Sequence, residues 1–237
     1  MQRELIGAAE DAAAAYRRDA SIDSAVAAHS ERIKQAYEAM VRAGFDAIAM
    51  DTYQRITGAK ITAEKLEVKQ DDEIRIALNR AIDLYLRRYS ATKITQITST
   101  TMKQIRRDIR IAMEAGLSVA ETAGMIAKRG RDLAGPRAAV IARTEIHSAA
   151  NYGAIESAKL TGVVQRKVWL SVEDDRTRGA DDNDEWDHSD VDPVSLNEPF
   201  RVRNLKGGAD AQLMYPGDPN GPPGAIINCR CAMGYEV

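Results

Sequence analysis

Apolar residues recur at three-to-four spacing through most of the first 160 positions, a period that predicts a chain built mainly of helices. Residues 2–19 are alanine-rich, with charges all round and no strong apolar stripe, so the helix they predict leans on a partner. Ser21 or Asp23 can cap a longer helix, whose stripe runs from Ile22 and Val26 through Ile33, Tyr37, Val41 and Phe45 to Ile56 and ends at Gly58. The interval 59–70 reads as a connection with room for a short strand. Asp71 or Asp72 then opens a helix with the stripe Ile74, Leu78, Ile82, Tyr85 and Tyr89, acidic at its start and closed by Arg87 and Arg88, as the helix dipole favours. The Thr-rich stretch 90–99 reads as a turn or a brief extended piece. A further helix carries Met102, Ile105, Ile109, Ala112 and Met113 and stops at Gly116. Ser118-Val119-Ala120-Glu121 fits the capping box of another, expected to end near Arg129 with Gly130 beyond it. Gly135-Pro136 reads as one more helix start, continuing through Ile141, Tyr152 and Ile155 to Gly162.

After Gly162 the pattern changes. Val163, Val164, Val168, Trp169 and Leu170 read as a strand, and short extended pieces follow around Val194-Ser195-Leu196 and Pro199-Phe200-Arg201-Val202. The run 215–231 then gathers four of the seven prolines and both cysteines, and is expected to be an ordered loop, neither helix nor inner strand. The fold class is therefore α+β: a mainly helical N-terminal part, residues 1–115, and a small α+β C-terminal domain, residues 116–237, closed by a Pro/Gly-rich Cys-x-Cys loop.

Composition adds a compartment and an asymmetry. No N-terminal apolar core of signal-peptide length and no membrane-length apolar segment is visible, which points to a cytosol-like setting. Net charge is −2, yet residues 163–237 hold 8 Lys and Arg against 14 Asp and Glu, so the tail is acidic and the body mildly basic. In a reducing compartment, Cys229 and Cys231 one residue apart argue against a structural disulfide, leaving metal ligation or simple burial.

Four constellations carry candidate chemistry. Cys229 and Cys231 with His188 offer zinc two thiolates and an imidazole, with Asp175, Asp187, Asp192 or water as a fourth donor; small thiols buried in a packed loop are the rival reading. The acidic loop 181–192 invites a calcium reading but lacks the EF-hand glycine and closing glutamate, so it reads as a solvated face or a partner-binding loop. Lys103, Arg106, Arg107 and Arg110 form a basic helix surface able to track phosphates, which an ordinary solvated face explains about as well. Arg143 and Glu145, two apart, cannot share a helix face, so one of them should point inward; an ion pair with Asp175, Arg176 or Arg178 is the simplest use. No phosphate loop, nucleophile elbow or metalloprotease histidine pair is present.

Several separated pieces point the same way: Val140-Ile141-Ala142-Arg143-Thr144-Glu145 with Asn151-Tyr152-Gly153; Lys167-Val168-Trp169 with Asp175-Arg176-Thr177-Arg178; Glu198-Pro199-Phe200; and Tyr215-Pro216-Gly217-Asp218-Pro219 with Ile227-Asn228-Cys229-Arg230-Cys231. In order and spacing, this set over about residues 115–237 resembles the minor head (head morphogenesis) proteins of tailed bacteriophages, the Mu protein F-like or SPP1 gene-seven-like family. The resemblance implies a virion component made in the bacterial cytoplasm, present in few copies near the portal. Its implied partners are the portal protein, the major capsid protein and packaged double-stranded DNA, with no membrane during assembly and no catalytic activity. Arg143, Glu145, Trp169, Asp175 and Arg178 fall in the pieces that carry it. The family pattern has a histidine soon after the Asp-x-Arg region, followed by Asp-Gly; here His188 comes later and Asp192 precedes Pro193. The alternatives are a metal-dependent or Arg/Glu-based enzyme acting on nucleic acid, and a nonspecific DNA-binding protein.

Overall fold

The computed structural model describes residues 1–18, 20–58, 68–179, 181 and 183–237. It is mainly helical, with two small antiparallel sheets in the C-terminal region, the α+β class that the sequence predicts. The helices are α1 (Gln2–Arg17), α2 (Ile22–Ala27), α3 (Ser30–Thr57), α4 (Val68–Glu114), α5 (Val119–Thr161) and the single turn α6 (Pro223–Ile226). The strands are β1 (Arg166–Leu170), β2 (Val194–Ser195), β3 (Phe200–Val202), β4 (Ala211–Leu213) and β5 (Ala232–Glu236). Two compact units are each assembled from two stretches, Met1–Ala39 with Leu86–Ala142 and Met40–Tyr85 with Arg143–Val237, rather than from the sequential blocks 1–115 and 116–237.

In the first unit, Ala12, Ala13 and Val26 pack with Ile105, Ala123 and Ile126. This is the partner that the alanine-rich α1 needs. The single helix expected from Ser21 onward is two, because the chain breaks at Ala28 and His29. The buried imidazole of His29 there spans two carboxylates of α1, Glu4 at 3.2 Å and Asp11 at 2.9 Å.

Two predicted interruptions are absent. The Thr-rich stretch 90–99 is helical within the 47-residue α4, which begins at Val68 instead of Asp71. Ile94 and Ile97 prolong the buried stripe, and the hydroxyls of Thr95, Thr100 and Thr101 donate to the carbonyls of Ala91, Gln96 and Ile97, one turn back. These three threonines satisfy their hydroxyls inside the helix, whereas the Thr98 hydroxyl is buried without a hydrogen-bond partner. The connection and short strand expected within 59–67 lie outside the described residues.

Similarly, α5 continues through both Gly130 and Pro136. An interior proline removes one helix hydrogen bond, at about 3 kcal/mol, and burial of Ala123, Ile126, Ala134 and Ala138 along the same helix offsets it. Gly130 serves packing: a Cβ there would collide with the Cβ of Ala9 on α1. Gly130→Ala is expected to overpack this crossing and, after the gain in helix propensity, to lower stability by about 1 kcal/mol net. A thermal melt checks this, and a rise in midpoint would contradict it.

Two other predicted stops hold. Gly116 and Gly162 both adopt left-handed φ near +67° at helix ends. The capping box is formed, with the Glu121 carboxylate accepting the Ser118 backbone N–H at 2.8 Å.

The second unit positions the site. β1 pairs antiparallel with both β2 and β5, in the order β2-β1-β5, and β3 pairs with β4. Strands β4 and β5 and the turn α6 were not anticipated. Proline is tolerated in α6 because a first-turn residue has no helical acceptor for its N–H, and Pro223 occupies that turn. Trp169, Trp186, Phe200, Val202, Leu213 and Ile226 form one core together with both cysteines. Tyr152 of α5 stands among Phe45, Tyr85 and Tyr215, with ring centroids 5.0–6.0 Å away.

Candidate metal centre

The proline-rich run acquires its shape from helix α5. The Thr144 hydroxyl accepts the Asn228 backbone N–H at 3.1 Å, and Asn228 takes a left-handed φ of 57°, a conformation that asparagine tolerates. Two turns along, the buried Asn151 amide donates to Pro216 O at 3.0 Å and Cys231 O at 3.3 Å. The same amide nitrogen lies 3.0 Å from His147 Nε2. Burial holds the His147 imidazole below its ordinary range.

A second set of bonds joins the turn after β1 to the same run. Arg178 presents its carbonyl to the His188 backbone N–H at 2.8 Å, and its guanidinium donates to Ile227 O. Arg230 grips Asp174 with two nitrogens. That fork, together with the Arg176 amide and the Thr177 hydroxyl, holds the Asp174 carboxyl well below the usual carboxylate range. A depressed folded-state value means the contact stabilises above the ordinary aspartate range and is lost as pH falls toward the folded value. Arg230→Gln is therefore expected to shrink the acid-induced loss of stability below pH about 4. Unfolding followed between pH 2 and 5 checks it; an unchanged slope would contradict it.

These bonds bring His188, Cys229 and Cys231 together. One ligand atom from each lies within 4.8 Å of the other two, and the residues are 2%, 1% and 4% exposed. His188 Nδ1 is 3.7 Å from Cys229 Sγ and 3.6 Å from Cys231 Sγ. The His188 ring meets Trp169 edge-on at 5.2 Å, and its Nε2 is buried without a protein partner. The sulfurs share their chemistry unequally. The Cys231 thiol is pushed up by the neighbouring Cys229 sulfur and by burial, while Cys229 is lowered by the hydrogen bond from Cys231 and by the backbone amides of Cys231 and Arg230. Two soft sulfurs and an imidazole, facing one point from fixed loops, can hold a metal ion.

The fourth donors considered from sequence lie elsewhere. Asp187 accepts from the Ser189 backbone N–H and hydroxyl and pairs with Arg203, while Asp175 and Asp192 are exposed. The acidic loop uses its carboxylates on its own backbone: Asp184 accepts the amides of Gly179 and Asp181, and Asp181 accepts that of Asn183. Asp182 lies outside the described residues.

Glu145 is the inward member of its pair. It is buried, whereas Arg143 is exposed and reaches Asn228 Oδ1 at 3.4 Å in place of Asp175, the acid expected for it. The acid of the turn that pairs with arginine is Asp174, not Asp175. Lys103, Arg106, Arg107 and Arg110 are all exposed on α4, and Arg106 is engaged by Asp23 at 2.9 Å.

Sequence reasoning missed the roles of Asn151, Thr144, Arg230 and Lys167. Only Asn151 and Thr144 carried a signal, as polar residues on the buried stripe of a helix. No protein-family model matches the chain, and no curated protein or solved structure matches it either. Among the described residues, no helix is long and apolar enough to cross a membrane.

Proposed function

We propose that the chain is a minor head protein of a tailed bacteriophage, acting near the portal in prohead assembly and in the handling or ejection of packaged DNA. One observation carries the reading. The separated pieces of sequence that resemble the family are bonded to one another: Thr144 to Asn228, Asn151 to Pro216 and Cys231, Arg178 to Ile227. Residues that recur as a set and meet as a set behave as one module, which supports treating the resemblance as a whole.

In this reading the portal and major capsid proteins are the partners, and the chain carries out no catalytic step. The exposed Lys103, Arg107 and Arg110 face packaged DNA, where phosphate contacts give affinity that falls steeply with salt. Zn2+ is the ion this reading assigns to His188, Cys229 and Cys231, since thiolate and imidazole suit it in tetrahedral sites.

Deleting the reading frame from the phage that encodes it tests the proposal. The expected result is particles with misassembled heads or heads that deliver DNA poorly. Unchanged infectious yield and normal heads would overturn it.

A further inference from the structure

The two thiols and the imidazole belong to segments tied to α5 and to the turn after β1 mainly by single bonds from Thr144, Asn151 and Arg178 and by the Arg230 fork. His188 lies within the acidic loop 181–192, and the cysteines flank Arg230 just before β5. Strand β5 pairs with β1 over five positions, from Leu170 with Ala232 to Arg166 with Glu236. That pairing starts one residue after Cys231. At the other end of the contact, His188 packs edge-on against Trp169, itself a β1 residue opposite Met233. An ion bridging His188 to the cysteines would therefore clamp the start of β5 and the ring that covers β1 at the same point.

The burial of the group decides what the ion can be. A divalent cation with two thiolates and a neutral imidazole carries no net charge, which a site this dry tolerates; an added carboxylate would leave one uncompensated charge in the core. The nearby acids are engaged or exposed, as this balance requires.

We propose that the ion at His188, Cys229 and Cys231 is a folding latch, whose binding orders the 186–190 loop and the β5 segment 226–236 of the second unit. The inference rests on the zinc assignment made above. It makes ion binding part of the folding free energy of these segments, so that an emptied site releases them while the helices of the other unit stay folded.

The test uses the full chain purified with zinc supplied. Elemental analysis gives the metal per chain, and hydrogen exchange read by mass spectrometry is compared before and after a zinc chelator, then after adding Zn2+ back. The expected result is about one zinc per chain, exchange at least tenfold faster in 186–190 and 226–236 on chelation, unchanged exchange in α1 and α2, and recovery on re-addition. One zinc per chain with unaltered exchange overturns the latch and leaves the zinc assignment standing. Exchange that rises equally along the whole chain also overturns the latch. No zinc bound, even after reconstitution, overturns both. Cys231→Ser should fail to retain zinc, and retention at full stoichiometry would remove that thiol from the site.

Discussion

Asn151→Leu is expected to destabilise the second unit by about 2–4 kcal/mol, because two buried carbonyls lose their donor at once and each such loss costs about 1–3 kcal/mol. The carbonyls are those of Pro216 and Cys231, which face one side-chain amide from α5. Leucine keeps the branched outline of asparagine but offers no N–H, so lost hydrogen bonding is the main cost and the larger side chain adds to it. The consequence reaches the metal centre. Cys231 O is part of the turn that aims its sulfur, so under the proposed zinc assignment Zn2+ affinity should fall together with stability, by about 10–100-fold as for other outer-shell partners. Urea unfolding of the full chain and a competitive zinc titration read the two effects. A change in stability below about 0.5 kcal/mol would show that the amide does not support this turn.

Raising the pH from about 8 to 10.5 is expected to stabilise the second unit, with a ceiling of about 3 kcal/mol. The cause is Lys167, whose side chain is fully buried on β1, donating from Nζ to Met214 O at 2.7 Å and lying 4.9 Å from the Phe200 ring centroid. Burial pushes its ammonium down to about 8. Its folded value lies below its unfolded one, so the unfolded chain binds more protons in this window and stability rises as pH increases through it. Below pH 8 the full cost of the buried charge is present. Lys167→Met should abolish the rise while also losing the hydrogen bond to Met214 O. Equal pH slopes for the wild type and Lys167→Met between 8 and 10.5 would contradict the account.

Periodic features and signals held within a few residues were legible in the sequence. The stripe Ile33, Tyr37, Val41 and Phe45 predicted α3, Ser118 and Glu121 predicted the start of α5, and glycines 116 and 162 predicted two ends. What failed was punctuation judged without tertiary context. Gly130 and Pro136 look like breaks on a local reading, but the close approach of Ala9 and the buried alanines of α5 decide otherwise. Thr-rich 90–99 failed for the same kind of reason, since burial of Ile94 and Ile97 carries the helix through it and the Thr95 hydroxyl bonds back one turn without breaking it. Short strands such as β4 leave only three residues of pattern, and β5 contains a glycine that blurs its alternation.

The site divides along the same line. Cysteines one residue apart in a proline-rich loop, with one histidine in the acidic tail, were enough to nominate His188, Cys229 and Cys231, which the fold brings together. Their supports were not legible, because Arg230 with Asp174 and Asn151 with Cys231 join positions 56 and 80 residues apart. Asp174 is distinguished from Asp175 by the Arg230 fork and by its bonds to the Arg176 amide and the Thr177 hydroxyl.

Quantitative mass spectrometry of purified phage particles, full and emptied, counting this chain against the portal protein, tests the central claim most directly. A few copies in each full particle is the predicted result, and their loss on emptying would identify the chain as a component ejected with DNA. Its absence from full particles, emptied particles and proheads alike would contradict the minor head reading.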